Sequence, residues 1–146
     1  MAELSGLGLS VDLPDGWDGR IYTRDEAGGT RASLHGATFP LPGMRGDYGS
    51  GAVEMMGPED VLVVLLEFDP SSTGQPLFAA QGFPTLYPTN FTQRNLQRPI
   101  AGQAGAQWFF TEAGRAFCLY VVLGLLTDRD RLAPLAADVV ARIRVV

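Results

Sequence analysis

Side chains suited to chemistry are scarce in this chain. Its 146 residues include eleven basic residues, all of them arginine, together with one histidine and one cysteine. Without lysine the chain has no amine for a Schiff base and no phosphate-loop lysine. One His and one Cys cannot by themselves build a zinc site of nitrogen and sulfur ligands. We therefore expect no cofactor, no metal and no catalytic residue, and we predict that the protein is not an enzyme.

His35 is the best candidate for acid–base chemistry, because an unperturbed imidazole titrates near neutrality. Beside an Asp or Glu, His35 would act as a general base. An enzyme that uses His35 in this way is one of three hypotheses for function, and it ranks third. The competing interpretation is that His35 is a half-exposed strand residue with no chemical role. Cys118 alternates with Ala116 and Tyr120 in an apolar run, which is typical of a small buried hydrophobe.

Composition and charge narrow the classes of function. The formal net charge is -5, which argues against binding to nucleic acid, because phosphate contacts need a basic face. Apolar residues make up 46% of the chain and charged residues only 18%, which favours a compact fold with an apolar patch covered by a partner. No stretch approaches the roughly 18 apolar residues of a membrane span, and the N-terminus lacks the pattern of a signal peptide. We predict a cytoplasmic bacterial protein.

The elements that must position these residues are mostly strands. Continuous or alternating apolar residues separated by Gly, Pro and Asp turns predict two hairpins and further strands. The predicted strands are Leu7–Leu13, Gly19–Arg24, Thr30–Phe39, Ala52–Met56, Val61–Phe68, Ala106–Thr111 and Arg115–Leu123. Helical spacing of apolar residues predicts one amphipathic helix, from about Pro134 to Ile143, in which Asp138 and Arg142 can pair.

These elements predict one α+β domain over residues 1–146. An antiparallel sheet whose central strands are apolar on both faces must be covered on both sides. We expect the C-terminal helix to cover one face. The segment 71–103, rich in Pro and aromatic residues and with short helical turns near 75–80 and 92–96, is expected to cover the other face.

The opening strand and turn add a resemblance to a known family. Leu13, Pro14, Gly16 and Trp17 form an L-P-x-G-W motif after a strand, and this motif resembles the start of PsbP-like domains. The order of the later elements, a hairpin and then a C-terminal helix leading into a last strand, is also similar. The resemblance implies an α/β/α sandwich, an antiparallel sheet with helices on both faces. It also implies a binding or accessory domain rather than an enzyme.

The first hypothesis for function is a domain that acts through protein contacts, either with a partner or by self-association. Its contact surface is predicted in the segment 83–98, where Tyr87, Phe91, Arg94 and Arg98 lie. Aromatic residues and arginine are the types enriched in interface hot spots. The competing interpretation is that the aromatic residues only cover the sheet.

The second hypothesis is a small-molecule binding domain. Its pocket would lie between the sheet and the segment 71–103, lined by Trp17, His35, Tyr48 and Trp108. A closed apolar cavity with two or three convergent polar groups would favour this hypothesis.

Overall fold

The protein contains two antiparallel sheets and one α-helix within residues 1–26 and 28–146, the part of the chain that the computed structural model describes. The strands of the small sheet, in order across it, are β1 (Ala2–Gly6), β2 (Leu9–Leu13) and β8 (Ile143–Val145). Those of the large sheet are β3 (Asp18–Glu26), β4 (Gly29–Ala37), β5 (Val61–Glu67), β7 (Arg115–Leu123) and β6 (Ala104–Glu112). The helix, α1, is Arg129–Val140, and short 3₁₀ turns lie at Val53–Met55, Pro70–Gly74, Pro76–Phe78, Pro88–Asn90 and Leu126–Asp128.

The centre of the large sheet is buried on both faces. Every residue from 61 to 66 in β5 has an exposed fraction of 0%, and residues 116 to 123 of β7 are equally buried. Strands of this kind read as continuous apolar runs, because neither face meets water. The prediction of antiparallel strands that are apolar on both faces is confirmed.

Helix α1 and the small sheet cover one face of the large sheet, the helix face. The apolar side of α1 packs there beside the inward-facing residues of β2, which are Leu9, Val11 and Leu13. The predicted ion pair between Asp138 and Arg142 is present, with Oδ2 and Nε 3.4 Å apart. The helix begins earlier than predicted, at Arg129, and contains Pro134 in its interior.

The other face of the large sheet, the loop face, is covered mainly by residues 38–60. Phe39, Leu41, Ala52 and Val53 are its buried apolar contacts. The prediction that the segment 71–103 forms this cover is therefore wrong in its main part. The predicted strand at 52–56 is a short 3₁₀ turn instead. Among the described residues the loop face carries no α-helix, so this layer of the molecule is irregular backbone rather than a helical layer.

The segment 71–103 runs along the outer edge of β6 and contacts both faces. Phe78 packs on the loop face against Phe109, with ring centres 5.6 Å apart. Phe83 then packs on the helix face against Phe110, at 4.9 Å. The chain returns to the loop face at Leu96, which packs in the cluster beneath residues 38–60. The segment thus crosses the sheet edge twice.

The predicted strand 7–13 is broken by a turn that the alternation of its residues concealed. Leu7 adopts a left-handed conformation with φ 54°, and Gly8 follows with φ 78°. The chain therefore folds back, and residues before and after the turn form the hairpin β1–β2. Leu7 is 48% exposed, contrary to its predicted place on the inner face.

Arg115 on β7, which is ion-paired with Glu67 on β5 of the same sheet, fastens the small sheet to the large one. The Arg115 guanidinium donates to both carboxylate oxygens of Glu67, at 2.8 and 3.0 Å. The same group donates to the carbonyls of Leu7 at 3.1 Å and Val146 at 3.2 Å, both at the end of the small sheet. Burial alone would raise the pKa of Glu67, but the bonds from Arg115 and from the Ala32 N–H outweigh it and the pKa is lowered.

We predict that Glu67→Gln destabilises the protein by about 2 kcal/mol at neutral pH, since it removes charge-assisted hydrogen bonds at a half-buried site. Because the folded state lowers the pKa of Glu67, its contribution is complete above the ordinary value of 4.5 and is lost as the pH falls through the folded-state value. Urea unfolding at neutral pH and at successively lower pH measures both effects.

The matched control is Glu3→Gln, the same chemical change on an exposed strand residue. Glu3→Gln is expected to leave the free energy of unfolding within about 0.5 kcal/mol of the parent. Equal unfolding curves for Glu67→Gln and Glu3→Gln would contradict the role given to the ion pair.

Candidate functional site

His35 lies fully buried on β4 at the loop face, and its ring fastens the loop above it. Arg45 Nε donates to Nδ1 at 2.9 Å, so the ring proton lies on Nε2. Nε2 lies 3.0 Å from the carbonyl of Asp47, to which it donates, and 3.0 Å from the hydroxyl of Tyr22. Both ring nitrogens are occupied by the protein itself.

This environment keeps His35 neutral. Its pKa is lowered to about 4: burial is the largest cause, the nearby Arg45 charge also lowers it, and the hydrogen bond to the Asp47 carbonyl raises it. Protonation of Nδ1 would also break the hydrogen bond from Arg45. A general base needs an open path to substrate, and this ring has none, because both of its nitrogens hold the loop cover of residues 38–60 on the sheet.

Cys118 is fully buried on β7 and belongs to the same face. Burial raises the pKa of its thiol to about 12, against smaller opposing effects from Tyr48 and Arg24. Thiol reactivity depends on the thiolate, so this group is inert at neutral pH. Among the described residues there is also no cluster of three or more His, Cys, Asp or Glu side chains that could hold a metal ion.

The four residues predicted to line one pocket do not meet. His35 and Tyr48 lie at the loop face, where Tyr48 packs against Tyr120. Trp17 and Trp108 pack into the cluster on the helix face, Trp17 beside β4 and Trp108 on the far edge strand, β6. The sheet separates the two pairs. The predicted pocket of Trp17, His35, Tyr48 and Trp108 is therefore wrong.

The predicted contact residues fall into two groups. Tyr87 is 59% exposed, and Arg94 and Arg98 are also exposed. Phe91 has an exposed fraction of 0% and packs against Trp108 on the helix face, with ring centres 6.1 Å apart. Phe91 therefore supports the surface from beneath and cannot contact a partner.

Arg94 differs from every other arginine in the described part of the chain. Ten of the eleven side chains donate to an acid or a backbone carbonyl, as Arg98 does to Glu54 at 2.8 Å. Within residues 1–26 and 28–146, no hydrogen bond or ion pair involves the Arg94 side chain. Its guanidinium keeps all of its donors for another molecule.

Three adjoining clefts open on the loop that carries Arg94. The first, of about 440 Å³, lies between this loop and β6, and its lining includes Arg94, Gln97, Gln107 and Phe109. The second, of about 510 Å³, shares Arg94 with the first, and the third, of about 240 Å³, is bounded by Leu96, Pro99 and Ile100. Together they form one groove, the edge groove, with a cationic centre and an apolar end.

Sequence reasoning identified Arg94 but missed the β6 side of the groove. The residue pattern of β6 does not distinguish Gln107 as a site residue, because a polar residue between apolar ones is ordinary in a strand. Its amide oxygen accepts from Gln97 Nε2 at 2.7 Å, which joins strand and loop across the groove. Only the path of residues 92–101 over the sheet edge reveals this pairing.

No family model, curated protein or solved structure matches this chain. Within the described residues, no helix combines the length and the apolar character needed to cross a membrane.

We predict that the His35 ring stays neutral, with its proton on Nε2, as the pH falls from about 7.5 to about 5. Its folded-state pKa of about 4 lies below the ordinary 6.5, so the unfolded chain binds the proton first and the protein loses stability as the pH falls between these values. Ring ¹⁵N chemical shifts measure the protonation state directly. Urea-unfolded protein, in which His35 should titrate normally, is the control. A midpoint near 6.5 in the folded protein would contradict the buried network.

Proposed function

We propose that this chain is a non-catalytic binding domain that acts through protein–protein contacts at the edge groove. The observation that carries the proposal is the unpaired Arg94 guanidinium at the centre of that groove. An exposed arginine without an intramolecular partner keeps its full hydrogen-bonding capacity for another molecule. Tyr87 and Arg98, exposed on the same segment, supply the side-chain types that dominate interface energetics.

The openness of the groove favours a macromolecular partner. Sites for small molecules bury most of the ligand in a concave and mainly apolar pocket. The edge groove instead lies along the surface and is lined largely by polar side chains, among them Asn95, Gln97 and Gln107. A surface of this shape can contact an extended segment of another chain along its length.

The state of the reactive side chains supports a role without catalysis. His35 is held by Arg45 and Asp47, and the Cys118 thiol is buried and protonated at neutral pH. The resemblance to PsbP-like domains, carried by Leu13, Pro14, Gly16 and Trp17, points in the same direction. We propose a PsbP-like accessory domain that works in the cytoplasm, and we regard the loop cover of residues 38–60 as its second layer.

A second candidate is binding of an apolar small molecule between α1 and the segment 83–86. A cleft of about 390 Å³ opens there, lined by Phe83, Leu86, Ala137 and Val140 among others. It is the most apolar of the clefts described. It adjoins the segment 71–103, but its other wall is α1 and not the sheet, against which the ligand pocket was predicted. It lacks convergent polar groups that would fix the orientation of a ligand, and for this reason it ranks second.

We expect a photo-reactive amino acid at position 95, an exposed residue that lines the groove, to form covalent adducts with protein in living cells of the source organism. The same amino acid at Thr23, exposed on the opposite edge strand β3, is the control and should form few. Adding Arg94→Glu to the protein labelled at position 95 should reduce the adducts at least about tenfold, because a charged contact is reversed.

Arg131→Glu makes the same charge change on an exposed helix residue outside the groove and should leave the adducts in place. An adduct of twice the mass of the chain identifies self-association, which light scattering over a concentration series checks. Equal adduct yields from positions 95 and 23 would refute protein contact at the groove and favour the apolar cleft.

A further inference from the structure

The outer edge of β6 is paired with the chain's own backbone at two points. Near its start, Gly105 exchanges hydrogen bonds with Thr92, at 2.9 and 3.0 Å. Near its end, the Thr111 N–H donates to the Ala80 carbonyl at 2.8 Å, and the Gly82 N–H donates to the Thr111 carbonyl at 2.8 Å. These bonds show which residues of β6 direct their backbone groups away from β7.

The stretch between these two points is an open sheet edge. In an antiparallel pair, alternate residues direct N–H and C=O to the same side. Because Gly105 and Thr111 face outward, Gln107 and Phe109 do so as well. No hydrogen bond to their backbone groups occurs within the described residues. Residues 107–109 are half-buried, whereas residues 104–106 and 110–111 on either side are buried.

The gap exists because the covering segment leaves the edge at this point. Residues 83–91 move onto the helix face, where Phe83 contacts Phe110 and Phe91 contacts Trp108. Two N–H groups and two carbonyls of β6 are thereby left without a partner among the described residues, at the two positions that border the edge groove. Gln107 and Phe109 line the same cleft as Arg94.

We propose that an extended peptide segment of a partner protein adds to β6 at Gln107–Phe109 as a short extra strand, and that an acidic side chain of this segment binds Arg94. This inference rests on the proposed function and specifies how the partner is recognised. Main-chain hydrogen bonds to an exposed sheet edge provide affinity in such complexes, and side-chain contacts provide specificity. A carboxylate is the bidentate partner that a free guanidinium fits best.

The geometry defines the chemistry of the segment. Three strand residues span about 10 Å, so about three residues of the partner fit the gap. One carries the carboxylate that meets Arg94. An apolar side chain nearby would fill the end of the groove at Leu96 and Ile100. A free small carboxylate would satisfy Arg94 but would leave the backbone groups of β6 unpaired, and for this reason a peptide is favoured.

The test begins with selection of a random linear peptide library, displayed on phage, against the whole chain. We expect enriched peptides to share an Asp or Glu next to an apolar residue. A synthetic peptide from the selection should bind Arg94→Glu at least about tenfold more weakly than the parent, and Arg131→Glu with unchanged affinity. Failure to enrich any peptide, or equal affinity for Arg94→Glu, would overturn the proposal.

Strand addition has a signature that binding through side chains alone lacks. Backbone N-methylation of the peptide should abolish binding at alternate residues, whose N–H groups face β6, and should be tolerated at the residues between them. Uniform tolerance of N-methylation would overturn strand addition even if Arg94 matters.

A matched pair of protein variants tests the same point. Gln107→Pro removes the outward N–H without touching a bond to β7, whereas Gln107→Ala keeps it, and both lose the bond to Gln97. We expect at least about tenfold weaker binding for Gln107→Pro than for Gln107→Ala. Circular dichroism checks that Gln107→Pro folds, and if it does not, the N-methyl series decides alone.

These outcomes separate the inference from the proposed function. Cross-links from position 95 together with a failed peptide test would support protein contact at the groove and refute strand addition. Cross-links that map to the same chain would identify the added strand as a segment of a second copy. Absence of both cross-links and selected peptides would refute both proposals.

Discussion

The fold depends on two neighbouring strands, β5 and β7, that are apolar on both faces. Their residues from Val61 to Leu66 and from Ala116 to Leu123 are almost completely removed from water. Such a pair is stable only when both faces of the sheet are covered, because each exposed Leu or Val side chain forfeits about 1.5–3 kcal/mol of transfer free energy. The C-terminal helix and the small sheet cover one face. The chain has no second amphipathic helix within its described residues, so irregular backbone must cover the other.

A cover of irregular backbone brings polar groups against an apolar sheet, and each buried one needs a partner. Two buried polar side chains of the loop face, His35 and Gln103, show how such partners are supplied. His35 accepts from Arg45 and donates to the Asp47 carbonyl, and Arg45 in turn donates to the Pro42 carbonyl. Gln103 donates to the Val53 carbonyl at 2.8 Å. The single histidine of the chain is thus used to hold the loop cover, which explains why the residue type best suited to catalysis is closed to substrate.

The sequence predicts the features of the fold that depend on local residue patterns, and it does not predict those that depend on contacts between distant parts of the chain. Strands β5 and β7 and the hairpin β6–β7 follow from local apolar patterns, and the structure has them nearly where they were predicted. The helix also follows from its pattern, but it lies closer to the N-terminus than predicted, at Arg129–Val140, and Ile143 belongs to β8 instead. The turn at Leu7 was hidden because the alternation of apolar residues continues through it. The loop cover could not be predicted, because its buried residues, such as Phe39 and Val53, follow no helical or strand periodicity.

At the candidate site, residue type placed Arg94 and Tyr87 in a contact surface, and both side chains are exposed. Phe91 was placed there too, but it is buried against Trp108, a contact that no local pattern encodes. The open edge at Gln107 arises from the path of a distant segment and has no sequence signature.

The central claim is that β6 presents an open edge between two points where the chain covers its own sheet. Amide hydrogen exchange, followed residue by residue by NMR in the free protein at low concentration, tests this claim most directly. The account predicts fast exchange at Gln107 and Phe109, whose N–H groups have no partner, and protection at Gly105 and Thr111, which donate to Thr92 and Ala80. Protection at Gln107 and Phe109 equal to that of their neighbours would contradict it, since the edge would then already be paired.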